Sequence, residues 1–155
     1  MAPDTGFPPI GRRPRRTSTG AAGPLAYGVR VQIRALDHFV LTVADPEATV
    51  AFYERLGMRR EEFGDGRLAL RFGDHKINLH RAGSPIQPHA RRPTPGSADV
   101  CLLVAGTLDA VERELERVGV VFELGPVQRT GATSAIRSLY LRDPDGNLVE
   151  LSEPI

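Results

Sequence analysis

Cysteine and tryptophan are scarce in this chain, which has one Cys, no Trp and two Met among 155 residues. The single cysteine, Cys101, excludes an intrachain disulfide framework and is typical of a protein from a reducing compartment. Cys101 stands in an apolar strand pattern, so we expect a buried thiol with no nucleophilic role. No apolar run is long enough to cross a bilayer. We therefore expect a cytoplasmic protein with no membrane partner.

An overall excess of charge of one sign is also missing, since the formal net charge is +1. The distribution is uneven: residues 1–34 hold six Arg and one acidic residue, and the remainder holds 14 basic and 18 acidic residues. Residues 1–33 are rich in Pro, Gly and Arg and have no helical or strand period, which predicts a disordered basic tail. The arginines could contact nucleic acid, but a solvated extension is the favoured interpretation, and we expect no nucleic-acid partner.

From residue 34 onward the sequence contains a twofold repeat, each half being a strand, a helix and three further strands. In the first half Asp45-Pro46 predicts the start of a helix over 48–56. In the second half Thr107 caps a predicted helix that continues to residue 118. The predicted strands are 36–43, 58–63, 67–72 and 76–81 in the first half, and 99–104, 120–123, 136–141 and 147–152 in the second.

The repeat predicts the domain organisation. One α+β domain covers 34–153 and consists of modules 34–82 and 97–153, which a Pro-rich connector joins. The second module is longer because of a predicted loop, Gly125 to Ala132. An internal repeat is stronger evidence for architecture than local propensity.

Four side chains that can bind a metal stand near the starts and ends of the two modules. Aligning the modules by these positions places His38 opposite Asp99, and His80 opposite Glu150. Each residue alone has an ordinary interpretation, such as a core histidine, a turn residue or a solvent-facing side chain. Their symmetric placement favours one shared site. Imidazole and carboxylate donors without a thiolate suit Zn, Ni, Co, Mn or Fe(II).

Two motifs carry a resemblance to a known family. Leu36-Asp37-His38 opens the first module, and Asp143-Pro-Asp-Gly-Asn-Leu-Val-Glu150 closes the second. On these motifs the chain resembles the vicinal oxygen chelate superfamily of glyoxalases, bleomycin resistance proteins and dioxygenases. Segments that include Lys76–His80 and Gly125–Ala132 are similar to the glyoxalase domain-containing protein 5 group.

The resemblance implies a cupped, mostly antiparallel partial barrel and a homodimer. It also implies one divalent metal ion, held by His38, His80, Asp99 and Glu150. The chain departs from the commonest pattern of the superfamily at two of these positions. The second module opens with Asp99 where His is usual, and the first closes with His80 where Glu or Gln is frequent.

The implied function is a metal-dependent lyase or isomerase that acts on a small vicinal-dioxygen substrate through a metal-stabilised enediolate. Glu150 and Asp99 are the candidate catalytic bases, because proton abstraction needs a carboxylate within hydrogen-bond reach. Two alternatives remain open: an Fe(II) dioxygenase, and a non-enzymatic protein that binds a drug or metabolite. The candidate substrate-binding residues are Arg129, Thr130, Asn78 and Arg92.

Overall fold

Two four-stranded sheets, each with one helix packed on it, contain all the helices and strands of residues 30–155. The computed structural model describes residues 30–155, so almost all of the predicted tail over 1–33 lies outside the described residues. Residues 35–155 form one compact unit. Residues 30–34 contain no helix or strand. Within 30–155 no helix is both long and apolar enough to cross a membrane.

The first module contains β1 (His38–Val43), α1 (Pro46–Arg55), β2 (Arg59–Phe63), β3 (Arg67–Phe72) and β4 (His75–Arg81). Its strands are ordered β1-β4-β3-β2. The outer strand β1 runs parallel to β4, and the other neighbours are antiparallel.

The second module repeats this order with β5 (Asp99–Leu103), α2 (Leu108–Arg117), β6 (Phe122–Thr130), β7 (Ala135–Arg142) and β8 (Leu148–Pro154). Its strands are ordered β5-β8-β7-β6, and β5 is parallel to β8. Each module is therefore a βαβββ unit with a mixed sheet. The predicted α+β class and glyoxalase-like architecture are confirmed.

Both helices begin where the sequence predicts a cap. The Asp45 side chain accepts hydrogen bonds from the backbone N–H groups of Glu47 and Ala48, and Pro46 occupies the first turn. Thr107 accepts from the N–H of Ala110 at the start of α2. These side chains satisfy N–H groups that have no partner within the helix, which fixes the point where each helix leaves its preceding strand.

Alternate strand residues supply the core. Leu41 and Val43 of β1, with Ile77 and Leu79 of β4, belong to the buried cluster that also contains Tyr53 of α1. Side chains on a strand point alternately to its two faces. The residues between these therefore lie on the side of the sheet away from its helix, called here the open face. The open faces carry the four predicted metal ligands.

Hydrogen bonds also join the two modules. The hydroxyl of Tyr53 donates to Asp143 Oδ2 at 3.2 Å, and the backbone N–H of Ala44 donates to Asp145 Oδ1 at 3.0 Å. Both carboxylates belong to the turn between β7 and β8. The closing turn of the second module is therefore anchored on the first.

Two local predictions are wrong. Residues 125–130 do not form a loop, since β6 is one strand from Phe122 to Thr130 with irregular register on either side of Leu124. Pro126 cannot donate to a ladder, so the strand contains an irregularity instead of ending there. Cys101 is exposed instead of buried, because it alternates with Val100 and Leu102 on an edge strand. Partial desolvation still raises the pKa of its thiol, with the nearby Glu150 carboxylate adding to the effect.

Candidate functional site

The open face of the first sheet carries three of the predicted site residues. His38 lies on β1 beside Lys76 of the parallel strand β4. Further along the same ladder, Val40 pairs with Asn78, and Thr42 pairs with His80. His38 and His80 therefore share a face but lie four residues apart along the ladder.

The open face of the second sheet carries the two predicted carboxylates. Asp99 of β5 pairs with Leu148 of β8, and Cys101 pairs with Glu150. The next pair on this face is Leu103 with Ser152. Asp99 and Glu150 are thus offset by two residues and lie closer together than the two histidines.

The ladder register corrects the alignment of the two modules. If His38 is matched with Asp99, their ladder partners Lys76 and Leu148 are also equivalent. Two residues further on, Asn78 is then equivalent to Glu150. His80 is equivalent to Ser152, so the expected match of His80 with Glu150 is wrong. Aligning the modules by the ends of their last strands gives the wrong match. The reason is that β4 and β8 extend by different lengths beyond the ladder positions that the two modules have in common.

His38 is held by a neighbour that the sequence analysis missed. Its Nδ1 lies 2.6 Å from Asp37 Oδ1, and 43% of the His38 side chain is exposed. This hydrogen bond, reinforced by the imidazole charge, lowers the pKa of Asp37. An imidazole that binds a metal through one nitrogen commonly donates its other N–H to a carboxylate. The arrangement therefore leaves Nε2 of His38 to bind a ligand. In the sequence, the acidic residue next to His38 was the signal that could have predicted this contact.

Two buried polar atoms of β4 have no hydrogen-bond partner in the described part of the chain. They are Asn78 Oδ1 and His80 Nδ1. Burial lowers the pKa of His80, and the positive charges of His89 and Arg67 add to this effect. Buried polar atoms are nearly always hydrogen-bonded, so each of these atoms has capacity for a ligand.

Glu150 has polar neighbours on the open face of the second sheet. The Ser152 hydroxyl donates to Glu150 Oε1 at 3.4 Å and lies 2.9 Å from the Ser138 hydroxyl. Burial raises the pKa of Tyr140, and the adjacent Glu150 carboxylate raises it further. Ser138 and Ser152 were also missed from the sequence. Their positions at period two along β7 and β8 would have placed them on this face.

The predicted substrate residues fall in different places. The Nε of Arg129 donates to the Tyr140 hydroxyl at 3.1 Å. Tyr140 is a neighbour of Glu150, so Arg129 lies near that carboxylate. Thr130 is exposed at the end of β6. Arg92 belongs to the connector, where it lines a small cleft with β1 and Asn147. Asn78 lies on the first open face, so the structure brings Arg129 toward Glu150 and leaves the other three elsewhere.

The four predicted metal ligands lie on two separate open faces, two on each. Within residues 30–155 no three side chains of His, Cys, Asp or Glu come together as a metal site. The donor types nevertheless suit a divalent ion, and Asn78 Oδ1 adds an unpartnered oxygen. A shared ion would need the two open faces to meet.

Known proteins similar to this chain agree with the fold. Residues 35–151 match the Glyoxalase/Bleomycin resistance protein/Dioxygenase superfamily. The chain is 46% identical over 123 residues to the glyoxalase domain-containing protein RDO1 of Mycosarcoma maydis, covering 79% of this chain and 70% of that protein. It is 47% identical over 126 residues to the virulence protein STM3117 of Salmonella typhimurium, covering 81% and 88%. The crystal structure of STM3117 superposes with a TM-score of 0.79, covering 81% of this chain and all of the other.

More distant structures share the fold alone. A lactoylglutathione lyase from Agrobacterium tumefaciens has 22% identity and a TM-score of 0.58, covering 77% of this chain and 92% of that one. The antibiotic-binding protein TnmS3 from Streptomyces has 24% identity and a TM-score of 0.61, covering 81% and 100%. The same architecture thus occurs in an enzyme and in a binding protein.

Proposed function

The chain belongs to the glyoxalase/bleomycin resistance protein/dioxygenase superfamily, and from that membership we propose that it is a divalent-metal-dependent lyase or isomerase. Its substrate is a small molecule with two neighbouring oxygen atoms. The observation that carries the proposal is the ladder register. His38 and Asp99 begin the corresponding edge strands β1 and β5, and with these two residues matched the ladders make Asn78 equivalent to Glu150.

The proposed site is completed by a second copy of the chain. The donors lie on two separate sheets, and β1 and β5 are edge strands of those sheets. Val40 on β1 is 44% exposed and Leu103 on β5 is 65% exposed, and both lie on open faces. Burying these apolar side chains against a partner would favour association. A homodimer would then join the first open face of one copy to the second open face of the other.

The chain's own residues supply the remaining chemistry. A divalent ion held by His38, Asp99 and Glu150 would polarise a substrate oxygen. Glu150 or Asp99 would move the proton, because a carboxylate beside the bound substrate can abstract it. Arg129, held by Tyr140, would bind an anionic group of the substrate, since guanidinium pairs well with carboxylate or phosphate.

The fourth donor comes from β4, where two residues are candidates. The sequence predicts His80, and the register favours Asn78. We also propose membership of the glyoxalase domain-containing protein 5 group, supported by the segments Lys76–His80 and Gly125–Ala132.

Metal affinity measured by titration calorimetry tests the site. His38→Ala and Glu150→Ala should each weaken binding of Zn²⁺, Ni²⁺ or Co²⁺ at least tenfold, since even the loss of a residue that supports a ligand costs about 10- to 100-fold. The matched control is His75→Ala, because His75 is an exposed histidine at the start of β4. The fourth donor is Asn78 or His80, whichever residue costs more metal affinity when it is replaced by Ala. Unchanged affinity in both His38→Ala and Glu150→Ala would refute the site.

The reaction class needs a separate assay. The metal-loaded protein should catalyse exchange of the α-proton of an α-hydroxyketone in D₂O, followed by proton NMR. Glu150→Gln should slow this exchange, and chelation of the metal should abolish it. Exchange across a panel of α-hydroxyketones that is no faster than in buffer would contradict a lyase or isomerase of this type.

A non-enzymatic binding protein is the second candidate. It is favoured by an apolar cavity beside β4, formed by the connector and the first open face. Tight ligand binding that needs no metal, together with no proton exchange, would support it over the enzyme.

A further inference from the structure

The Pro-rich connector forms one wall of a cavity on the first open face. The cavity has a volume of about 400 Å³, within the range of small-molecule sites. Among residues 30–155, no carboxylate, Lys or Arg side chain lines it. Its walls include Val40 and Thr42 of β1, His80 of β4, and His89, Ala90 and Pro93 of the connector.

His80 is a buried polar residue in the wall of this cavity. The residue is 9% exposed, and its Nδ1 has no hydrogen-bond partner among residues 30–155. The equivalent position in the second module is Ser152, whose hydroxyl lies 2.9 Å from the hydroxyl of Ser138. The second module therefore satisfies this position internally, whereas the first leaves an imidazole unpaired against an apolar space.

We propose that this cavity binds the apolar body of a small uncharged molecule, whose hydroxyl group hydrogen-bonds to the imidazole of His80. A neutral imidazole has one donor and one acceptor nitrogen, and a hydroxyl can pair with either. The lining has no carboxylate to pair with an amine and no Lys or Arg to pair with a carboxylate, so an alcohol or phenol suits its mostly apolar walls better than either. The site is the cavity that favours the binding-protein candidate above; the proposal rests on that candidate, names the class of ligand it would take and does not require a metal.

A matched pair of probes tests the hydrogen bond and the cavity together. Protein freed of metal with EDTA is titrated with 1-naphthol and with naphthalene, which lacks the hydroxyl. Binding of each probe is measured by equilibrium dialysis, so a Trp introduced by a variant does not interfere with the measurement. We expect 1-naphthol to bind about five- to tenfold more tightly than naphthalene, the usual size of one net hydrogen bond.

Two variants separate the parts of the site. His80→Phe should reduce 1-naphthol binding to the level of naphthalene, because it keeps the ring and removes both nitrogens. Ala90→Trp should abolish binding of both probes by filling the cavity from the exposed connector. His75→Phe, at an exposed position, should change neither. Thermal melting and Zn²⁺ affinity of Ala90→Trp check that the fold and metal donors survive.

Equal affinity for the two probes, or no effect of His80→Phe on 1-naphthol, would overturn the role of His80. Binding that persists in Ala90→Trp would place the probe elsewhere and overturn the cavity site. Because these titrations use metal-free protein, their failure leaves the proposed metal site untouched. Conversely, if His38→Ala loses Zn²⁺ binding but binds 1-naphthol normally, the cavity site does not depend on the metal site.

Discussion

Tyr53 shows how one buried side chain connects the modules. Tyr53 is fully buried, and its hydroxyl donates to Asp143 Oδ2, which also accepts from Asn147 Nδ2 at 2.7 Å. Asp143 Oδ1 accepts from the Asn147 backbone N–H at 2.9 Å. The carboxylate at the start of the closing turn is therefore satisfied from both modules. A buried carboxylate that loses a donor costs more than the hydrogen bond alone contributes.

Tyr53→Phe should lower the free energy of unfolding by about 1–3 kcal/mol, because Asp143 loses a buried donor while the ring still packs. Urea denaturation measures this. Tyr140→Phe is the control on an open face, expected to change stability by less than about 0.5 kcal/mol. An equal loss in both variants would contradict the special role of the Asp143 contact.

The same contact predicts a dependence on alkaline pH. Burial, and then the Asp143 charge, raise the pKa of Tyr53 well above its ordinary value of 10.0. The folded state therefore favours the protonated phenol, so its contribution is complete below pH 10 and declines as pH rises above that value. Wild-type protein should lose stability above pH 10 more steeply than Tyr53→Phe. Parallel curves from thermal melts at several pH values would refute this.

At the residue scale, sequence could identify donor types but not their register. His38, Asp99 and Glu150 all lie on open faces as the strand alternation requires. The match of His80 with Glu150 is wrong because residue spacing does not reveal where a strand joins its ladder. The pairing of Thr42 with His80 in the ladder shows that His80 lies two residues beyond the position equivalent to Glu150.

At the scale of elements, Gly125 lets β6 continue where a loop was predicted. Its φ is +121°, and a Cβ there would lie 2.5 Å from the Ser138 carbonyl oxygen and 3.0 Å from the Leu139 Cα. Only glycine permits this close approach of β6 to β7. The Gly-Pro pair predicts a break in the chain, whereas in the structure the strand accommodates both residues as an irregularity.

Gly125→Ala should destabilise the protein by more than about 2 kcal/mol, since it combines a strained φ with a backbone clash. Gly146→Ala is the matched control, because Gly146 also has positive φ, +86°, but a Cβ there would meet no atom within 4 Å. The control should lose only the conformational cost of about 1–2 kcal/mol. Equal destabilisation in the two variants would show that the contact with β7 relaxes easily.

The elements that sequence predicted well are those with two agreeing signals. Both helices combine a capping residue with an apolar stripe, and they begin within two residues of the predicted positions. Strands β3 and β4 are bounded by Gly-containing turns, which fixes their ends. The long β6 lacked such agreement, because its turn residues and its apolar residues indicated different structures.

At the scale of the whole molecule, the repeated fold leaves two open faces, each with two predicted metal ligands, that do not share a metal site within residues 30–155. Leu103 is an apolar residue on the second face, where it projects from the edge strand β5. We expect Leu103→Glu to weaken the proposed homodimer, because association would bury the new charge. Light scattering should show a smaller mass than wild type at the same concentration. Val121→Glu, at another exposed apolar position outside the open faces, should leave the mass unchanged.

Mixing two inactive variants tests how the metal ligands are shared between copies. If His38 of one copy and Glu150 of the other hold the same ion, a mixed dimer of His38→Ala with Glu150→Ala contains one intact site and one doubly defective site. Random exchange makes half of the dimers mixed, so the mixture should recover about a quarter of the wild-type metal capacity per chain, although neither variant binds alone. A site built within one chain would be damaged in every copy, and mixing would restore nothing. Recovery that persists when Leu103→Glu is added to both variants would contradict the proposed interface, because the site would then form without it.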